Sequence, residues 1–126
     1  MKATLFSLLI LAVLVGSGIH FHHATENTCE FLHQNLKNAT TLVSENNWNE
    51  ANKTFSRMEE TWNEKKKYLA LFTHHDLLDN VQIALARVAA ASAAHDADAL
   101  KIECASLKKE LDDLHHADRL EAENIF

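Results

Sequence analysis

Nine of the 126 residues are histidines, and imidazole is the side chain best suited to bind a metal ion or to gain a proton near neutral pH. Several histidines are adjacent in sequence. Neighbouring residues on a helix point about 100° apart, so an adjacent pair does not chelate one metal ion as an i, i+4 pair does. We therefore interpret most of the histidines as exposed polar residues and partners of helix ends, including the pairs His22-His23, His74-His75 and His115-His116.

Two groups of residues that include histidines have a spacing with a specific chemistry. His75 and Asp79 lie at i, i+4 with Asp76 beside them, and such a set supplies part of a divalent-metal site. A second group, at residues 20–23, follows an apolar segment, and histidines ordinarily gain a proton at about pH 6.5. Neither group is accompanied by an HExxH, CxxC or similar signature. No metal site and no cofactor is therefore assigned, and histidine-based metal binding or pH sensing stays an alternative function.

Charge and residue spacing argue against other function classes. The formal charge is −6, and residues 73–126 hold eleven acidic against five basic residues, whereas a nucleic-acid-binding protein presents a basic surface. Acidic pairs such as Glu59-Glu60 are typical of solvated helix faces, and no Ser-His-Asp or Cys-His arrangement follows from the spacing. We therefore predict no enzyme, no nucleic-acid partner and no small-molecule substrate.

The chain begins with an apolar segment. From Ala3 to Phe21 eleven residues are Leu, Ile, Val or Phe, and none is charged. As a helix this segment spans about 28 Å, close to the ~30 Å hydrocarbon core of a bilayer. We predict a signal anchor at residues 1–22 that crosses the cell membrane once, with Lys2 and the amino terminus in the cytoplasm. The body, residues 23–126, then lies outside the cytoplasm.

A cleavable signal peptide is the alternative interpretation of the same segment, because its apolar core is usually only about 7–15 residues long. Residues 15–17, Val-Gly-Ser, offer a cleavage site of small residues, although no A-x-A pattern is present. Cleavage would leave a secreted helical protein. Both interpretations place the body outside the cytoplasm.

The body has the pattern of amphipathic helices. The chain contains no glycine after Gly18 and no proline at all. The body therefore lacks the residues from which elaborate loops are usually built. Apolar residues recur at alternating steps of three and four in four stripes. One stripe contains Trp48, Phe55 and Trp62, which we interpret as core rather than as a ligand platform. The sequence thus predicts an all-α protein: an N-terminal transmembrane or signal-anchor helix, then an up-down antiparallel bundle of three to four helices.

Capping residues, rather than glycine turns, mark the predicted helix starts. The segment 47–50, Asn-Trp-Asn-Glu, resembles a capping box, and the segment 73–76, Thr-His-His-Asp, has the same form. Asp96 or Asp98 can cap the last helix. No helix breaker occurs in residues 19–44, so the apolar segment and the first bundle helix form either one continuous helix or two.

Cys29 and Cys104 are the two cysteines, and a body outside the cytoplasm would permit a disulfide between them. Up-down packing argues against this bond, since it offsets the two residues by about 13 Å along the bundle axis. Bridged Cα atoms lie within roughly 7 Å of each other. Cys104 lies on an apolar stripe, so we predict a small buried thiol there.

Four features of the body occur together: a tryptophan-bounded run at residues 48–62, a His75-Asp76 element, an ALARV helix, and Glu-Asn-Ile-Phe at residues 123–126. With the short apolar start, they resemble the small membrane-anchored bacterial proteins grouped as domain of unknown function 4363. The resemblance covers nearly the whole chain. It implies a membrane-tethered, all-helical protein with no assigned activity and no catalytic residues.

The resemblance also implies roles for individual residues. Trp48 and Trp62 would be framework residues, His75 with Asp76 would lie at the second turn, and residues 124–126 would form the tail. The His74-His75 doublet departs from the Asp-His order expected there, which weakens any role for that pair.

These features together predict a non-enzymatic interaction or accessory module that binds an unidentified membrane or envelope protein. The anchor, the absence of a catalytic pattern and the alanine-rich segment 89–94, which permits close packing, all favour it. The apolar end of the chain either closes the bundle or fills a groove of the partner. The candidate structural or interaction residues are Trp48, Phe55, Trp62, His75, Asp76, Asn124, Ile125 and Phe126.

Overall fold

The computed structural model describes residues 1–125, apart from the side chains of residues 121, 122 and 125. In that range the chain forms four helices and no strands. The helices are α1 (Lys2–Ser44), α2 (Trp48–Leu69), α3 (His75–Ala93) and α4 (Ala97–Ile125). The predicted all-α class is therefore confirmed.

Each helix packs against two others, because α1 and α3 both contact α2 and α4. With short connections between consecutive helices, this closed arrangement is an up-down four-helix bundle. The connections 45–47 and 94–96 lie at one end, which we call the distal end. The connection 70–74 lies at the other end, which we call the proximal end. The apolar half of α1 projects from the proximal end.

The first helix, α1, has an exposed apolar half and a second half that packs in the bundle. It is continuous over 43 residues, because no breaker interrupts it. Residues 1–17 are exposed throughout, and the first buried side chain is Phe21, which is 6 % exposed. Within the described range, α1 alone is long and apolar enough to cross a membrane.

The apolar stripes of the four helices meet in one core, as amphipathic helices require. Phe55 and Trp62 are each 1 % exposed, while Trp48 lies half-buried at the margin of the core. Trp62 nevertheless leaves its indole Nε1 buried without a hydrogen-bond partner among the described residues. The core interpretation of these aromatic residues is consistent with their burial.

The distal end is closed by two turns of the same kind. Asn46 and His95 have φ angles of 63° and 53°, the left-handed conformation that glycine usually supplies at a helix end. The N–H of Asn47 donates to the carbonyl five residues back at 2.8 Å, and the N–H of Asp96 does the same at 3.1 Å. These are Schellman motifs, and they explain how a body without glycine makes three-residue turns.

Side chains cap the two helices that start at the distal end. The Oδ1 atom of Asn47 accepts a hydrogen bond from the N–H of Glu50 at 3.4 Å. The Oδ1 atom of Asp96 accepts one from the N–H of Ala99 at 3.1 Å. The predicted caps at 47–50 and at Asp96 are confirmed.

The predicted cap at Thr73 is wrong. The N–H of Thr73 donates to the carbonyl of Leu69 at 3.0 Å, so this residue completes the last turn of α2. The N-cap of α3 is His74, which makes no side-chain capping bond. Helix-like backbone hydrogen bonds continue from α2 as far as Thr73. The N-cap of α3 is therefore one residue later than predicted.

Candidate functional site

The proximal end gathers the features with the clearest link to function. The histidines at residues 20–23 lie where α1 leaves the bundle, and α4 passes beside them. The connection 70–74 lies at the same end. Three groups of contacts define this site: an aromatic cluster, an exposed apolar turn and a part-buried histidine–aspartate contact.

The aromatic cluster attaches α1 to the end of α2. The ring of Phe21 lies 4.6 Å from that of Phe72 and 5.9 Å from that of Tyr68, measured between centroids. The imidazole of His20 meets Tyr68 edge-on at 6.2 Å. Aromatic rings at such distances attract each other beyond their apolar burial. The cluster therefore fixes the connection 70–74 beside the point where α1 leaves the core.

The connection itself exposes two large apolar side chains. Leu71 is 71 % exposed and Phe72 is 51 % exposed. Their backbone N–H groups bond to the carbonyls of Tyr68 and Leu69, three residues earlier, both at 3.2 Å. This tight extra turn continues α2 beyond the core and turns both side chains toward the outside.

The histidine–aspartate contact joins α1 to α4. The Nδ1 atom of His22 lies 2.7 Å from Oδ2 of Asp118, a carboxylate that is only 6 % exposed. Glu26 lies 3.8 Å from the other ring nitrogen of His22. Burial raises the pKa of Asp118, and the charge of His22 opposes that shift. Residues 96 positions apart thus share one partly enclosed proton-binding site.

The three histidines of residues 20–23 stay close together but have different partners. His20 contacts Tyr68, His22 pairs with Asp118, and His23 faces a groove between α1 and α2. Sequence analysis did not identify Asp118 as a candidate site residue. It lies four residues after Leu114 and so continues the spacing of the apolar stripe of α4. An acidic residue in phase with a core stripe is the signal that could have found it.

The groove beside His23 has a volume of about 620 Å³. Its lining includes His20, Asn27, Lys65 and Tyr68, so it combines cationic, polar and aromatic groups. The groove opens at the proximal end of the bundle.

The candidate residues His75, Asp76 and Asp79 lie in the first turns of α3. His75 and Asp76 are exposed, and Asp79 Oδ1 accepts a hydrogen bond from Lys66 Nζ at 2.9 Å. This bond lowers the pKa of Asp79, and Lys66 also donates to Gln82 at 2.6 Å. In the described part of the chain, no three His, Cys, Asp or Glu side chains are placed to hold a metal ion. The contacts of Lys66 instead join α2 to α3.

The distal end contains a different set of contacts. The indole of Trp48 stacks on the imidazole of His95 with the rings 4.9 Å apart and 11° from parallel. The hydroxyl of Ser92 donates to Oδ1 of Asn52. Both contacts bridge the two halves of the bundle close to its turns.

The two cysteines are free and buried. Desolvation is the largest cause that raises the pKa of the Cys29 thiol to about 12 and that of the Cys104 thiol to about 11. Both thiols are therefore protonated and weakly nucleophilic near neutral pH. The predicted burial of Cys104 agrees with this arrangement.

The predicted tail lies largely beyond the described part of the chain. Asn124 is exposed on α4, whereas the Ile125 side chain and Phe126 lie outside the described residues. Whether the tail closes the bundle or contacts a partner stays a prediction.

A family model with the description Domain of unknown function (DUF4363) matches residues 19–125. The chain belongs to this family. The match begins two residues before Phe21, the first buried side chain, so the DUF4363 domain corresponds to the bundle and excludes most of the apolar segment. No curated protein and no solved structure matches the chain.

Proposed function

We propose that this DUF4363 protein is a single-pass membrane protein whose bundle binds another membrane or envelope protein and catalyses no reaction. The observation that carries the proposal is the exposure of the apolar half of α1. Leu5, Leu9 and Leu14 are 68 %, 62 % and 63 % exposed. A continuous apolar surface of this length is unfavourable in water, and a bilayer covers it.

The orientation of the anchor follows from its flanks. Lys2 precedes the apolar segment, and the positive flank of a membrane helix ordinarily stays in the cytoplasm. The bundle, with its acidic second half, then lies outside the cytoplasm. The partner is a neighbour in the same membrane or in the envelope.

The α3–α4 face offers a surface for that partner. Ile83 on α3 is 50 % exposed and Ile102 on α4 is 68 % exposed. Arg87 and Ser106 each follow one of these isoleucines by one helical turn, and with Ile83 they line a shallow depression between the two helices. Exposed isoleucines beside an arginine have the composition of a protein-binding surface.

Site-specific photo-crosslinking in native membranes tests this proposal. A photoreactive residue at position 83 or 102 should give one discrete adduct with another protein. The same residue at Arg57 or Asn63, which are exposed on α2, is the matched control and should give none. Adducts at all four positions, or at none, would contradict a specific partner on this face.

Two alternative functions have one supporting observation each. A secreted protein fits the position of Phe21, because cleavage after Ser17 would remove no buried side chain. The mass of the mature chain decides this point, since a secreted form lacks residues 1–17. A pH-sensing function fits the His22–Asp118 pair, whose partners lie 2.7 Å apart.

A further inference from the structure

We propose that the connection 70–74 is a second membrane contact, in which Leu71 and Phe72 insert into the headgroup layer of the bilayer that α1 crosses. The inference rests on the proposed membrane anchor and goes beyond it. It adds a lipid-binding surface to the bundle and gives the bundle a defined orientation on the membrane.

The position of the turn along α1 is the first argument. The ring of Phe72 lies 4.6 Å from that of Phe21, at the end of the apolar segment of α1. A helix rises about 1.5 Å per residue, so Ile19 lies only about 3 Å beyond Phe21 along the axis. When the apolar segment crosses a bilayer, the turn is therefore at the membrane surface.

The chemistry of the turn is the second argument. Leu71 and Phe72 are 71 % and 51 % exposed. Tyr68, about one turn earlier in the chain, is half-buried against the core. Aromatic rings with a polar tip are enriched where membranes meet water. Exposed Lys65 and Lys67 lie on the same last turns of α2, and lysines at a membrane interface can lay their apolar stems along the bilayer surface while the charged head stays in water.

The last turns of α4 set the depth of the contact. Asp118 lies at the level of His22, and α4 continues for seven further residues to Ile125, which is about 10 Å. This extension includes Arg119 and Glu123, whose charges are strongly disfavoured in the hydrocarbon core. These charges keep the end of α4 within the headgroup layer, and Leu71 and Phe72, which lie near the level of Phe21, are then in the outer part of that layer and not in the hydrocarbon core.

The anchor favours a bilayer over a second protein as the occupant of this surface. The same helix that buries Phe21 in the bundle continues into the apolar segment without a break. Headgroups therefore lie beside the turn in every orientation of the bundle that keeps α1 straight. A protein partner would have to displace them.

An environment-sensitive fluorophore attached to single introduced cysteines tests the inference on the full chain in lipid vesicles. The native cysteines are buried with pKa values raised to about 12 and 11, so an exposed thiol is labelled selectively. The label is placed at Leu71, at Leu9 in the apolar segment and at Ala94 in the exposed distal turn. Thr73 carries it in a second variant of the proximal turn.

We expect the label at Leu71 to show blue-shifted emission. A nitroxide near the lipid headgroup should quench it more strongly than a nitroxide deep in the acyl chains. The label at Leu9 should show the opposite preference, and the label at Ala94 should be quenched by aqueous iodide only.

Three other labelling results would contradict the lipid contact, the anchor or both. If Leu9 is in lipid while Leu71 and Thr73 behave like Ala94, the second contact is wrong and the anchor stands. If Leu9 itself is accessible to iodide, the anchor fails. If Leu71 is shielded from both iodide and nitroxide lipids, a protein covers the turn and the lipid contact is overturned.

Discussion

The two ends of the bundle are built in different ways. At the distal end, polar residues close two short turns by bonds between backbone groups only three to five residues apart. At the proximal end, contacts between distant residues hold α1 to α2 and α4, and one turn leaves Leu71 and Phe72 exposed. The turns of the distal end are thus closed by local bonds, whereas the proximal end leaves two large apolar side chains exposed, as the proposed membrane contact requires.

This difference separates local from long-range contacts in the molecule. Local bonds in the distal turns can form wherever the helices stop, so they are suited to a general structural role. The proximal contacts combine a buried charge, aromatic rings and exposed apolar groups close to the apolar segment. Residues that couple the bundle to a membrane or to pH are therefore expected at the proximal end.

The largest expected effect is that of Phe21→Ala, which removes the aromatic centre of the proximal end. Phe21 is buried and contacts both Tyr68 and Phe72, so we expect a loss of about 3 kcal/mol in the free energy of unfolding. Urea unfolding of the full chain in detergent micelles, followed by tryptophan fluorescence, measures it. Phe6→Ala is the matched control, because Phe6 is 63 % exposed on the same helix. Equal effects of the two substitutions would show that Phe21 does not attach α1 to the bundle.

A smaller effect that depends on pH is expected for Asp118→Asn. Folding raises the pKa of Asp118 above its ordinary value of 3.8, because burial outweighs the attraction of His22 and His115, and Glu26 adds to the rise. The folded state then binds the proton more tightly than the unfolded state. The contribution of this group to stability is therefore complete below about pH 3.8 and is lost as pH rises through the folded pKa.

The amide of Asp118→Asn does not titrate, so the variant should gain stability relative to the wild type as pH rises through that window. Urea midpoints measured from pH 3.5 to pH 7 test the sign. Asp112→Asn, which removes the exposed partner of His33 at 3.3 Å, is the comparison variant. A relative loss of stability for Asp118→Asn over the same range would mean that the attraction of His22 outweighs burial.

The smallest effect is expected at the distal end, where Asn46→Gly should stabilise the chain by up to about 1 kcal/mol. Asn46 has a φ of 63°, and glycine adopts this conformation without the steric cost of a Cβ atom. His95→Gly removes the same kind of cost but also the ring stacked on Trp48 at 4.9 Å. It should therefore stabilise less than Asn46→Gly, and thermal unfolding of the two variants compares them. A larger gain for His95→Gly would show that the stacked ring contributes nothing.

The sequence by itself determined the helical class, the stripes that form the core and the cap at Asn47, and it limited the cap of the last helix to Asp96 or Asp98. These features are local, because helix periodicity and capping depend on residues only a few positions apart. The same locality explains one error, since Thr73 has the sequence of a cap but the extra turn of α2 includes it.

Only the tertiary structure decided which distant side chains meet. It paired His22 with Asp118, bonded Asp79 to Lys66 of the neighbouring helix, and placed Phe72 beside Phe21. It also resolved the open question of α1, which runs unbroken from the apolar segment into the core. Such pairings depend on the relative rotation and offset of packed helices, and interdigitation of whole side-chain surfaces sets both. The pattern of apolar residues along the sequence specifies which helix faces pack together, but not their relative position along the bundle axis.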